Sequence, residues 1–126
     1  MGCSCIYVGD DWSGRTMVKQ TDNRARIKHE CYECGRTINV GEKYRYEAMV
    51  GDGDLEVYKI CHDCLSLRDA FFCYGWYYGE IWHEFTESVR SGEIHVGPDC
   101  LDELTEAARK AAVKIIDDEI GGDDGD

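Results

Sequence analysis

Two CxxC pairs, Cys31-Tyr-Glu-Cys34 and Cys61-His-Asp-Cys64, are separated by 26 residues in a chain of 126. They constrain this sequence more than anything else in it. Each CxxC turn can present two thiolates to one ion, and two such turns complete a soft tetrahedral shell of the kind that suits Zn²⁺. The spacing therefore predicts one four-thiolate zinc site, Cys31, Cys34, Cys61 and Cys64, with the segment between the knuckles folded back on itself. A chain this short builds a modest core and gains from a metal staple. Disulfides and a redox dithiol are the competing readings. The N-terminus lacks the apolar run and basic flank of a secretory signal. A redox CxxC, for its part, wants a βαβ context and a single active pair.

Charge divides the chain unevenly. To Tyr46 there are eight Lys and Arg against six Asp and Glu; from Glu47 onward there are six against twenty, and the net charge is −12. Phosphate attraction supplies most non-specific DNA affinity, so that binding is disfavoured. The acidity has two readings. One is a solvated, solubilising helix face; the other is a surface that docks on a basic protein or occupies its nucleic-acid groove in place of phosphates. No apolar stretch approaches the length needed to span a membrane. With no signal, thiols that bind metal fit a reducing cytoplasm.

Along the chain, Met1-Gly-Cys-Ser-Cys-Ile6 holds a CxC pair, and Ile6 stands where a myristoylation signal wants Ser or Thr. Residues 15–28 carry Arg15, Lys19, Arg24, Arg26 and Lys28 with few large apolar residues, which predicts a loop or extended arm. The first knuckle spans His29–Arg36, turning at Gly35. Lys43–Val50 alternates, with Tyr44, Tyr46, Ala48 and Val50 on one side and Lys43, Arg45 and Glu47 on the other, as a half-buried strand does. Gly51–Asp54 is a turn and Leu55–Ile60 the returning strand. Asp52 and Asp54 lack the further oxygen ligands of a calcium loop. Cys61 and Cys64 open a helix through Phe71, where free amides favour thiolates. The aromatic run from Phe71 to Gly79 reads as core. A second helix follows to Gly92. A third, capped by Asp99, runs to Ile120 with Leu101, Leu104, Ala108, Ala111 and Ile115 as its apolar stripe and Glu106–Lys110 as an i,i+4 pair.

Four cysteines remain, Cys3, Cys5, Cys73 and Cys100. They could bind a second zinc and clasp the N-terminus to the aromatic segment and the third helix. Alternatively Cys73 and Cys100 are buried thiols acting as small apolar residues, or His62, His83 or His95 joins a mixed Cys/His site.

A knuckle, a hairpin and a helix bearing the second pair resemble the treble-clef arrangement. The runs HECYECGRTINVGEKY, YKICHDCLSLRDAFFC and GWYYGEIW are similar to those of a family of short zinc-binding proteins encoded by bacteriophages and prophages, over about residues 3–104. That resemblance includes Cys3, Cys5, Cys73 and Cys100, and implies a metal-stabilised fold in a phage or prophage setting. It implies no particular activity.

The residues of several zinc and nucleophile chemistries are missing. There is no His-x-Glu with Pro-Cys-x-x-Cys of a zinc deaminase, no HExxH and no GxSxG. Four thiolates also close the coordination shell that a catalytic metal keeps open. The sequence thus predicts an α+β fold in which a treble-clef-like knuckle and hairpin precede about three helices. It forms a single domain over residues 1–120: an N-terminal arm (1–30), the CxxC hairpin and helix (31–78) and a helical part (79–120). A disordered acidic tail follows (121–126). The expected role is non-catalytic: a zinc-binding interaction module in the host-cell cytoplasm that modulates or inhibits a basic host protein of nucleic-acid-binding or defence type. The alternatives are a nucleic-acid-binding regulator using Arg15, Lys19, Arg24, Arg26, Lys28 and Arg45, and a structural or accessory phage protein.

Overall fold

The computed structural model describes residues 5–6, 15–73 and 75–121. Strands β1 (Arg15–Arg24), β4 (Lys43–Gly51) and β5 (Asp54–Cys61) form an antiparallel sheet in the order β1-β4-β5. A small ribbon of β2 (His29–Glu30) and β3 (Thr37–Ile38) lies between β1 and β4 in the chain. Helices α1 (His62–Phe71), α2 (Ile81–Ser91), α3 (Pro98–Asp102) and α4 (Glu106–Ile116) follow, and a π-helical turn (Asp117–Gly121) closes the described chain. The architecture is α+β, as the sequence predicts. None of the described helices is long and apolar enough to cross a membrane.

The hairpin arises where the turn chemistry places it. Asp52 and Gly53 both take positive φ, 54° and 80°, between the paired residues Gly51 and Asp54. Two central residues of that conformation match the right-handed twist of the flanking strands, and Asp-Gly tolerates them. Residues 15–28 differ from expectation in part. The sequence predicts a loop or extended arm; residues 25–28 are irregular, but the extended Arg15–Arg24 is a ten-residue edge strand paired along its length to β4, with a bulge between Met17 and Lys19. Its polarity is that of an edge, where cations and a bulge discourage pairing with other chains.

Tyr44 and Ala48 of β4 are buried as the alternation predicts, but the opposite side of the strand is buried as well. Glu47 and Met49, from the side that carries the charges, are almost completely buried. Glu47 is fully enclosed, and its carboxylate accepts bonds from Arg68 at 3.0 and 2.5 Å and from Tyr78 at 2.5 Å. Burial pushes its carboxyl up, but the Arg68 and Tyr78 bonds and the Arg68 charge outweigh this and hold it below the ordinary carboxylate range. Two long-range partners, one on α1 and one in the aromatic segment, thus make a charged residue part of the interior. Trp76 stacks on the Arg68 guanidinium at 3.7 Å, and Tyr58 stacks on Tyr78 at 3.7 Å. The aromatic run does serve the core: Phe71 and Phe72 are buried and Trp76 and Tyr78 pack against the cluster. Tyr74 lies outside the described residues.

On the helical side, α2 ends at Gly92, whose left-handed φ of 80° suits a residue without a Cβ. The predicted third helix is two. Helix α3 stops at Asp102, and α4 starts afresh from Thr105, whose hydroxyl caps Ala108 N at 3.2 Å. Thr105 is held there from outside the helix, donating to Asp63 at 2.6 Å while its N–H donates to the Ser66 hydroxyl at 3.2 Å. The break rotates the stripe. Leu104, Ala108 and Ala112 face inward and Ala111 is exposed, whereas the sequence predicts Ala111 inside. The Glu106–Lys110 pair forms at 3.6 Å. The acidic tail beyond residue 121 lies outside the described residues.

Candidate metal centre

The first knuckle is built by backbone bonds that close a tight turn. Gly35 N donates to Cys31 O at 2.9 Å, Cys31 N donates to Arg36 O at 2.9 Å, and Gly35 adopts φ 79°. Cys31 and Cys34 therefore point from one short loop. The second pair is delivered by the junction of β5 and α1: Cys61 is the N-cap of α1 and Cys64 lies in its first turn. Tyr32 N donates to Lys59 O at 2.8 Å, which fastens the first knuckle along the end of β5.

The four sulfurs lie within 4.8 Å of one another. Cys31 and Cys64 are 3.8 Å apart across the site, and Cys34 and Cys61 are 3.9 Å apart. A tetrahedral ion with metal–sulfur bonds of about 2.3 Å sets its ligand edges at about 3.8 Å, so this quartet is already the size of a tetrahedral thiolate shell. No His, Asp or Glu joins it among the described residues. The structure brings together all four cysteines that the CxxC spacing predicts, as a site able to hold a metal ion.

Electrostatics within the quartet point the same way. Contacts with Cys61 and Cys64 hold Cys31 well below the usual thiol range, and the same contacts push Cys61 up to about 12 and Cys64 up further. Sulfurs this close cannot all ionise alone. A dication supplies the charge that lets four thiolates coexist.

Three sulfurs accept N–H bonds: Cys31 from Cys61 N at 3.3 Å, Cys61 from Cys64 N at 3.5 Å and Cys64 from Trp82 Nε1 at 3.2 Å. Trp82 is a partner that the sequence reading missed, since it places Trp82 only in the apolar repeat of α2. Glu33 was missed too. Its Oε1 accepts from Gly79 N at 2.9 Å and Ile81 N at 3.4 Å, tying the knuckle to the start of α2, and burial raises its carboxyl above the usual range. Its position inside the CxxC turn was the only signal. Arg36 completes the brace through Glu42 at 2.5 Å and Asp63 at 3.2 Å.

The remaining cysteines behave differently. Cys5 and Cys73 are joined in a disulfide across 68 residues, and Cys100 is disulfide-bonded as well. Cys3 lies outside the described residues. As a disulfide Cys5 and Cys73 offer no thiolate, and no second quartet is brought together among the described residues; Cys100 is buried as the alternative expects, whereas Cys73 is exposed. His62, His83 and His95 are exposed and belong to no metal-sized cluster among the described residues.

Four of the six cations in the arm reading are engaged, while Arg26 and Lys28 are exposed with no ion pair or hydrogen bond among the described residues. Arg15 pairs with Glu56, Arg45 with Asp22 at 2.7 Å and with Glu47 at 3.4 Å, Arg24 donates to the Gly41 carbonyl at 2.8 Å, and Lys19 sits 5.4 Å over the Tyr46 ring. Comparison of the chain with protein-family models, curated proteins and solved structures gave no match.

Proposed function

We propose that Cys31, Cys34, Cys61 and Cys64 bind one Zn²⁺ in a treble-clef-like centre, and that the protein is a non-catalytic interaction module whose acidic helical half docks on a basic protein. The observation that carries the docking reading is the charge left over in the helical half, on the helices and on the segments that join them. Arg90, Arg109, Lys110 and Lys114 are each held in an ion pair, while Glu80, Glu84, Glu93, Asp99, Glu103 and Asp117 have no ion-pair partner among the described residues. Unneutralised carboxylates raise encounter rates with a cationic surface and lose that advantage as salt rises. The zinc is structural in this reading. It closes the coordination shell and fixes β5, α1 and, through Trp82, α2.

In a phage or prophage setting, the partner is a host nucleic-acid-binding or defence protein, met in the cytoplasm. A reducing cytoplasm would open the disulfides of Cys5, Cys73 and Cys100. With Cys3, these thiols then become available as a second zinc set. The nucleic-acid alternative is weakened by the engagement of Arg15, Arg24 and Arg45 within the fold. Immobilised zinc-loaded protein should retain a basic protein that elutes as ionic strength rises, and a Glu93→Lys, Glu103→Lys variant should retain less. Retention that ignores salt, or equal retention by the variant, contradicts the proposal.

A further inference from the structure

Beside the metal centre is a groove of about 450 Å³, lined by Trp82, Ala107 and Ala111 on the helical side and by Glu33, Cys34 and Asp63 on the knuckle side. Two features of this groove restrict what it accepts. The first is Cys34. It is the exposed member of the quartet, the other three being buried, and it is the one sulfur that receives no N–H donor among the described residues, having only Cys61 Sγ at 3.9 Å. A metal-bound thiolate is an anionic acceptor, and charge-assisted donors serve it best. The second is charge. Four thiolates on a dication leave two negative charges, while Asp63 is paired with Arg36 at 3.2 Å and accepts from Thr105 at 2.6 Å. Glu33 Oε2 is also buried without a hydrogen-bond partner. A mainly apolar groove thus has the anionic sulfur of Cys34 at its edge, which suits a side chain with an aliphatic stem and a cationic N–H head.

We propose that this groove receives a Lys or Arg side chain from a basic segment of a protein partner, with the stem on Trp82 and the α4 alanines and the head donating to Cys34 Sγ. This rests on the reading of the protein as a zinc-stabilised module for basic partners and names the anchor through which it holds them. The helical carboxylates then steer the partner, and the groove seats it.

The test is an NMR titration of the zinc-loaded full chain with octalysine, using octaglutamate as control. Saturable shifts should appear at the Trp82 indole N–H and at the Ala107 and Ala111 methyls. Ala111→Leu, which fills the groove from an exposed helix position, should weaken binding about tenfold with zinc content unchanged. If Ala111→Leu loses zinc, Ala107→Leu carries the same prediction. Saturable octalysine binding that leaves the groove resonances unmoved, or that both leucine variants retain in full, overturns the groove proposal while the docking role of the acidic helices stands. Absence of octalysine binding at low salt overturns both.

Discussion

The two sets of cysteines in this protein are used in opposite ways, and the contrast shows what local spacing can and cannot specify. Cys31, Cys34, Cys61 and Cys64 come as two pairs, each shaped by its own turn, and converge as free thiols on a metal-sized cluster. Cys5 and Cys73 come from distant segments and are joined directly, with Cys100 also oxidised. In the first set, each CxxC turn brings two sulfurs together before any tertiary contact forms, so only one loop must close to complete the site. In the second, the bond ties the N-terminal segment to the end of α1. Ile6 is buried beside it, with its N–H on Phe71 O at 2.7 Å. The first set lies between the first knuckle and the β5–α1 junction, and the second ties the N-terminal segment to the end of α1.

The contrast would break first at the metal. Chelation, or Cys61→Ser, should unfold the knuckle and the β5–α1 junction, because structural zinc contributes on the order of 10 kcal/mol to folding. Hydrogen exchange across residues 29–71 would report this as lost protection. Native-like protection in the metal-free chain would place the stability elsewhere. The same experiment on a Cys5→Ser, Cys73→Ser chain should give a smaller loss, about 4 kcal/mol from the freed loop, with the sheet still protected. The comparison sharpens under reductant: a second, weaker equivalent of zinc should bind, and Cys5→Ser should abolish it without touching the first.

Smaller effects test the braces around the first set. Trp82→Phe removes the N–H on Cys64 Sγ and should lower zinc affinity by roughly tenfold, as loss of a partner to a metal ligand does, read by competition with a chromogenic chelator. Unchanged affinity would reduce Trp82 to packing. Thr105→Ala removes the cap of α4 and its bond to Asp63, costing about 1 kcal/mol in thermal unfolding, while zinc affinity stays within error. A large fall in zinc affinity would mean that α4 holds the site more tightly than these contacts imply.

How much of this was legible in the sequence follows from how local each determinant is. The CxxC pairs, the Asp52-Gly53 turn, the Gly92 stop and the Glu106–Lys110 pair all act within a few residues, and the structure realises each of them. Strand β1 was not legible. Its polar residues carry an extended pattern only in register with β4, and no property of residues 15–24 alone reveals that partner. Glu47 misled for a similar reason: its side of β4 is buried as well as the side of Tyr44 and Ala48, with Arg68 and Tyr78 arriving from elsewhere to bond its carboxylate. The break before α4 had a local signal in Thr105, but the continuing apolar periodicity outweighed it until Asp63 and Ser66 were seen to hold that threonine. Which of two chemistries four scattered cysteines adopt depends on long-range approach and redox state, and their spacing contains neither.

X-ray absorption at the zinc edge of the purified, non-reduced protein tests the central claim most directly. The account predicts zinc in a shell of four sulfurs at about 2.3 Å, with no nitrogen or oxygen ligand. Protein that folds without zinc, or a shell containing nitrogen or oxygen, would contradict it.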